Sequence, residues 1–97
     1  MEKYILEKLI YVFNDDIKDA MEIFKIAKHA KKEGEHDLAH YMASRAKQRI
    51  DMAETSKNTI DKYLDEIDAK ESPYEVFYEE YAEWLKHLKK EIYEFRV

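Results

Sequence analysis

Ala27-Lys28-His29-Ala30-Lys31-Lys32-Glu33-Gly34-Glu35-His36-Asp37-Leu38-Ala39 contains the chain's one glycine, and the reading of this stretch decides the fold. Lys28, Lys31 and Lys32 are cations suited to the negative end of a helix dipole, and a glycine behind them adopts the left-handed conformation at least cost. One helix therefore ends at Gly34 and another starts just past it. The one proline marks the second boundary. In Ser72-Pro73-Tyr74-Glu75 a hydroxyl stands at the N-cap, proline at the first helical position and glutamate at the third, which is a capping box. The pattern predicts helices over roughly 2–33, 36–69 and 73–95.

Each segment carries an apolar stripe at alternating spacings of three and four. In the first it is Leu6, Ile10, Phe13, Ile17, Ala20, Phe24 and Ala27, widened by a second stripe of Ile5, Leu9, Val12, Ile23 and Ile26. The second has Ala39, Ala43, Ala46, Ile50, Ala53, Ile60, Leu64 and Ile67, interrupted by Lys57, and its alanines permit close helix approach. The third has Tyr74, Tyr78, Tyr81, Leu85, Leu88, Ile92 and Phe95, with Phe77 and Trp84 beside them. Asn14-Asp15-Asp16 offers an alternative helix start, since these side chains compete for backbone N–H groups. Unbroken, the first two helices run ~45 Å each at 1.5 Å per residue. The expected fold is all-α, a single domain over 1–97 in which three long amphipathic helices form an antiparallel bundle.

Composition narrows the function. One glycine and one proline in 97 residues leave little turn or strand chemistry. A formal net charge of −5 opposes nucleic acid and anionic lipid at long range, so neither is an expected partner. Without cysteine there is no disulfide or thiolate site, which fits a cytoplasmic protein. The longest apolar run, Leu9-Ile10-Tyr11-Val12-Phe13, is far short of the ~20 residues a membrane span needs. Met1-Glu2-Lys3 opens no secretory signal.

Asp15-Asp16-Ile17-Lys18-Asp19-Ala20, then Ala27, Ala30, Asp37-Leu38-Ala39, Tyr41-Met42 and Ala46 resemble the first helical hairpin of ferritin-like, rubrerythrin-type proteins, over roughly residues 12–68. The resemblance is closest to short bacterial and phage versions of that fold, and it implies a ferritin-like hairpin followed by a C-terminal helix. The family's second helix carries a Glu-Glu-x-x-His signature that holds a di-metal centre. At the matching register this chain has Gln48-Arg49-Ile50-Asp51-Met52, so the signature is degenerate and the resemblance argues for the fold and against ferroxidase or peroxidase chemistry. Glu22 matches the first-helix glutamate.

Other clusters have plainer readings. His29, Glu33, His36 and His40 would share a face only if the helix ran through Gly34, so Glu22, His36 and His40 are weak metal candidates and no cofactor is expected. Lys25, Lys28, Lys31 and Lys32, and again Lys86, Lys89 and Lys90, sit where helix C-termini attract cations. Arg45 and Arg49 lie one turn apart and suit either an ion pair with Asp16, Asp19 or Glu22, or an anion site. No nucleophile triad, phosphate loop or His-Glu-x-x-His is present.

Eight tyrosines, four phenylalanines and one tryptophan are many for this length, and tyrosine and tryptophan are the residues that anchor protein interfaces. Tyr74, Phe77, Tyr78, Tyr81 and Trp84 are the expected interface. Surplus apolar surface on the first and third helices predicts a homodimer. The functional expectation is a non-catalytic helical bundle, encoded by a phage or mobile element, that self-associates and binds another, unidentified protein. A divergent di-metal oxidase or iron-handling protein, and a small anion or nucleotide binder, are the alternatives.

Overall fold

The computed structural model describes residues 3–66 and 73–97, with side chains from 4 to 64 and from 78 onward. Three helices make up the fold: α1 (Lys3–Lys32), α2 (His36–Glu66) and α3 (Pro73–Glu94). There is no strand among the described residues. They pack into a rod 50 Å long and 17 by 16 Å across. The segment between Glu66 and Pro73, including Ile67 and the Ser72 cap, lies outside the described residues.

The turn between α1 and α2 forms as the glycine demands. Gly34 has φ of 79°, its N–H donates to the Lys31 carbonyl at 3.1 Å, and the Glu35 N–H reaches back to the Ala30 carbonyl at 2.9 Å. This is a Schellman motif, which satisfies carbonyls that the helix end would otherwise orphan. Glu35 then accepts the Ala39 N–H at 2.9 Å and starts α2. The chain reverses within three residues, Glu33 to Glu35.

α1 runs unbroken through Asn14-Asp15-Asp16. Tertiary burial overrides the local cap preference, because Phe13 and Ile17 on either side are both fully buried. The core joins them to Ile50 and Ile60 of α2 and Ile92 of α3, all without solvent exposure. Each such side chain contributes about 1.5–3 kcal/mol of apolar burial. Alanines 20, 27, 39, 43, 46 and 53 line the α1–α2 contact, where small side chains let two long helices lie close.

α3 is tied to both other helices. Tyr93 donates to Asp51 at 2.8 Å, Lys89 meets Glu54 at 2.6 Å, and Tyr78 meets Asp61, so positions rise along α3 as they fall along α2. Against α1 the order is the same on both helices: Tyr78 packs on Phe13 and Phe95 on Phe24, with ring centroids 5.2 and 5.3 Å apart. Lys28 lies over the Phe24 ring and Lys31 over Phe95, so two members of the first basic cluster cover aromatic faces. No described helix is long and apolar enough to cross a membrane.

Candidate interaction surface

The aromatic set on α3 divides. Tyr78, expected on an interface, points inward and is 4% exposed. At that position the helix faces the α1–α2 groove, in register with Leu85, Leu88 and Ile92. Its hydroxyl donates to Asp61 Oδ1 at 2.5 Å and lies 3.3 Å from the Lys57 carbonyl, while Lys57 Nζ reaches Asp61 Oδ2 at 2.7 Å. Burial and the adjacent carboxylate push the phenol well above the ordinary tyrosine range. Lys57, which interrupts the α2 stripe, thus belongs to a polar network bridging α2 and α3. Tyr81 is half-buried, with its ring 4.9 Å from that of Trp84. Trp84 itself is 47% exposed and, with Met21, His87, Leu88 and Glu91, lines an open apolar cleft of about 210 Å³. The side chains of Tyr74 and Phe77 lie outside the described residues.

A larger cleft of about 490 Å³ runs between α2 and α3 beside Tyr78, and most of its charges answer one another. Lys57 pairs with Asp61, and Lys86 with Glu83 at 3.1 Å. Four of its charged side chains are thus taken up in pairs, and Glu79 is the remaining charged residue in its lining.

Arg45 and Arg49 have different environments. Arg49 Nη1 stands 3.5 Å from Asp16 Oδ1 across the α1–α2 contact, and the Asp16 side chain is almost wholly enclosed. Desolvation raises the Asp16 pKa; the Arg49 charge opposes that rise, and Asp15 and Asp19 add to it. Arg45 is exposed and leans on Tyr41, its guanidinium 5.9 Å from the ring centroid. The ion-pair reading therefore applies to Arg49 and Asp16, and the two arginines do not converge on a shared anion pocket.

The metal candidates are scattered. Glu22 is exposed beside Lys25 at 3.7 Å, on α1, whereas His36 and His40 are exposed in the first turns of α2. Among the described residues no group of three or more His, Asp or Glu side chains is placed to hold a metal ion. The Schellman turn at Gly34 separates His29 from His36, as an unbroken helix would not.

α3 leaves one side of the α1–α2 hairpin open. α3 touches α1 at Phe13, Met21 and Phe24, and α2 at Asp51, Glu54 and Asp61. Turned away from those positions, Ile5, Val12 and Ile26 of α1 are 46–47% exposed, and Leu38 and Met52 of α2 are 43% and 50% exposed. The second stripe of α1 foretold the first three. Leu38 and Met52, seven residues either side of Arg45, carried the same signal on α2.

Comparison with models of protein families, with curated proteins and with solved structures finds no match to this chain.

Among the described residues the surface thus has two apolar regions, the Trp84 cleft beside α3 and the open face of the hairpin. Water contact with large apolar side chains on both is the feature that any functional account has to explain.

Proposed function

We propose that this chain is a non-catalytic helical scaffold that associates with copies of itself and with another protein. The observation that carries this reading is the open side of the hairpin, where Ile5, Val12, Ile26, Leu38 and Met52 are each exposed by more than two-fifths. Isolated exposed apolar residues are ordinary, but five on one side of two adjacent helices form a patch of the kind that marks an interface. The Trp84 cleft, lined by Met21 and with the Tyr81 ring against Trp84, supplies a second anchor point for a polypeptide. On this reading the ferritin-like resemblance extends to the hairpin and not to di-metal chemistry, because Gln48, Arg49 and Met52 offer no carboxylate or imidazole where that family has its signature.

Light scattering on the purified protein at micromolar concentration tests the reading. A mass about twice the chain's 11.8 kDa, or a larger multiple, is expected. A monomer that persists at 100-fold higher concentration would remove self-association from the account.

A further inference from the structure

Both helices of the hairpin carry a repeat of seven on their open side. On α1, Ile5, Val12, Asp19 and Ile26 are spaced by seven, with Leu9, Asp16 and Ile23 four residues behind the first three. On α2, Leu38, Arg45 and Met52 are spaced by seven, with Met42 and Arg49 beside them. Two stripes at this spacing form the seam along which one helix packs on another in a coiled coil. Here the outer stripe of each seam is open to water. Each seam is also charged at its middle and apolar at both ends. The charges are acidic on α1 and basic on α2.

The Asp16–Arg49 contact sets these two positions within about one turn of the same level along the rod. Helices rise by the same amount per residue, so equal steps in opposite senses keep that offset. One turn toward Gly34, Asp19 stands near the level of Arg45, within about a turn. Beyond it Ile23 stands near the level of Met42 and Ile26 near that of Leu38. One turn the other way, Val12 stands near the level of Met52.

We propose that this face binds the same face of a second copy about a two-fold axis parallel to the helices, so that α1 of each copy lies on α2 of the other. This names the partner of the surface on which the self-associating scaffold reading rests. Charge complementarity selects both occupant and axis. That axis preserves levels, setting Asp19 of each copy against Arg45 of the other and closing apolar layers above and below. A two-fold axis across the helices would instead lay α1 on α1 and stack acidic residues against their own kind, which like charges resist. A buried charged layer between apolar ones is also a means by which helices fix register.

Charge reversal tests the geometry. Asp19 is half-exposed and Arg45 exposed, so neither substitution disturbs the core, and circular dichroism checks that both variants fold. Asp19→Arg alone and Arg45→Asp alone each place two like-charge contacts in the dimer and should weaken it on the order of tenfold or more by sedimentation equilibrium. Mixed one to one, the two variants should associate as tightly as the original chain, because every reversed charge then meets an opposite one. Trp84→Ser, on α3, should leave the dimer intact. A dimer that survives both reversals, or one that Trp84→Ser dissociates, overturns this face while self-association stands. Weakening by both single reversals without rescue on mixing overturns the axis. A monomeric original chain overturns the scaffold reading and this inference together.

Discussion

The Tyr78 hydroxyl donates to Asp61 Oδ1 at 2.5 Å, joining the second turn of α3 to the far end of α2. Asp61 also holds Lys57 Nζ at 2.7 Å, so one carboxylate serves two donors from two helices. Hydrogen bonds to a charged partner contribute about 1.5–3 kcal/mol, more than neutral ones. Tyr78→Phe keeps the ring against Phe13 and removes only the donor. It should cost about 1–2 kcal/mol in urea denaturation, at the lower end because Asp61 is partly exposed and water can replace the phenol. A loss above about 4 kcal/mol would mean that the ring has moved as well.

Asp16 makes the reverse prediction. Its pKa is raised above the ordinary 3.8, chiefly by burial, with Arg49 opposing. A carboxyl that binds its proton more tightly folded than unfolded lowers stability as pH rises through the window from 3.8 up to its folded value, and this penalty is fully present above that value. Asp16→Asn removes the penalty and retains an acceptor for Arg49. At pH 7 and low protein concentration, where association adds nothing, the variant should unfold at higher urea than the parent. The difference should shrink as pH is lowered to 3.8 and below. A less stable variant at pH 7 would show that the Arg49 pair outweighs the desolvation.

The helical architecture was legible because its punctuation is sparse and unambiguous. Gly34 ends α1 by the one backbone conformation that glycine favours, and Pro73 opens α3 where its missing N–H costs nothing. The direction of individual aromatic residues was less legible. Tyr78 and Trp84 are six residues apart in the same aromatic run, yet one is enclosed and the other is 47% exposed. Composition treats them alike; only the rotation of α3 in its groove, fixed by Leu85, Leu88 and Ile92, separates them. The Asp16–Arg49 pair was within reach of the sequence as one of several pairings, since choosing among Asp16, Asp19 and Glu22 requires the relative level of two helices.

Gly34 gives a clean conformational test. A Cβ at this position meets nothing within 4 Å, so substitution there is free of steric crowding and reports the backbone alone. At φ of 79° an L-residue is strained, by roughly 1–2 kcal/mol. Gly34→Ala should therefore destabilise the chain by about 1 kcal/mol, and Gly34→Asn by less, since asparagine tolerates the left-handed region. Equal stability of all three in thermal or urea unfolding would place the helix end elsewhere.

The alanine seam sets how close α1 and α2 can lie. Ala46 is fully buried in the core cluster that also holds Ala20, and on α2 it is flanked by Ala43 and Ile50. Ala46 has no exposed surface, and interiors packed at crystal-like density do not absorb a longer side chain without moving backbone or rotamers. Ala46→Leu should therefore destabilise by about 1–3 kcal/mol although it adds apolar surface and retains high helix propensity. Ser44→Leu, two residues away and exposed, makes the same kind of addition on the outside and should change stability by no more than about 0.5 kcal/mol. Chemical denaturation of the pair separates packing from propensity: if both substitutions are neutral, the two helices are not in close contact at Ala46.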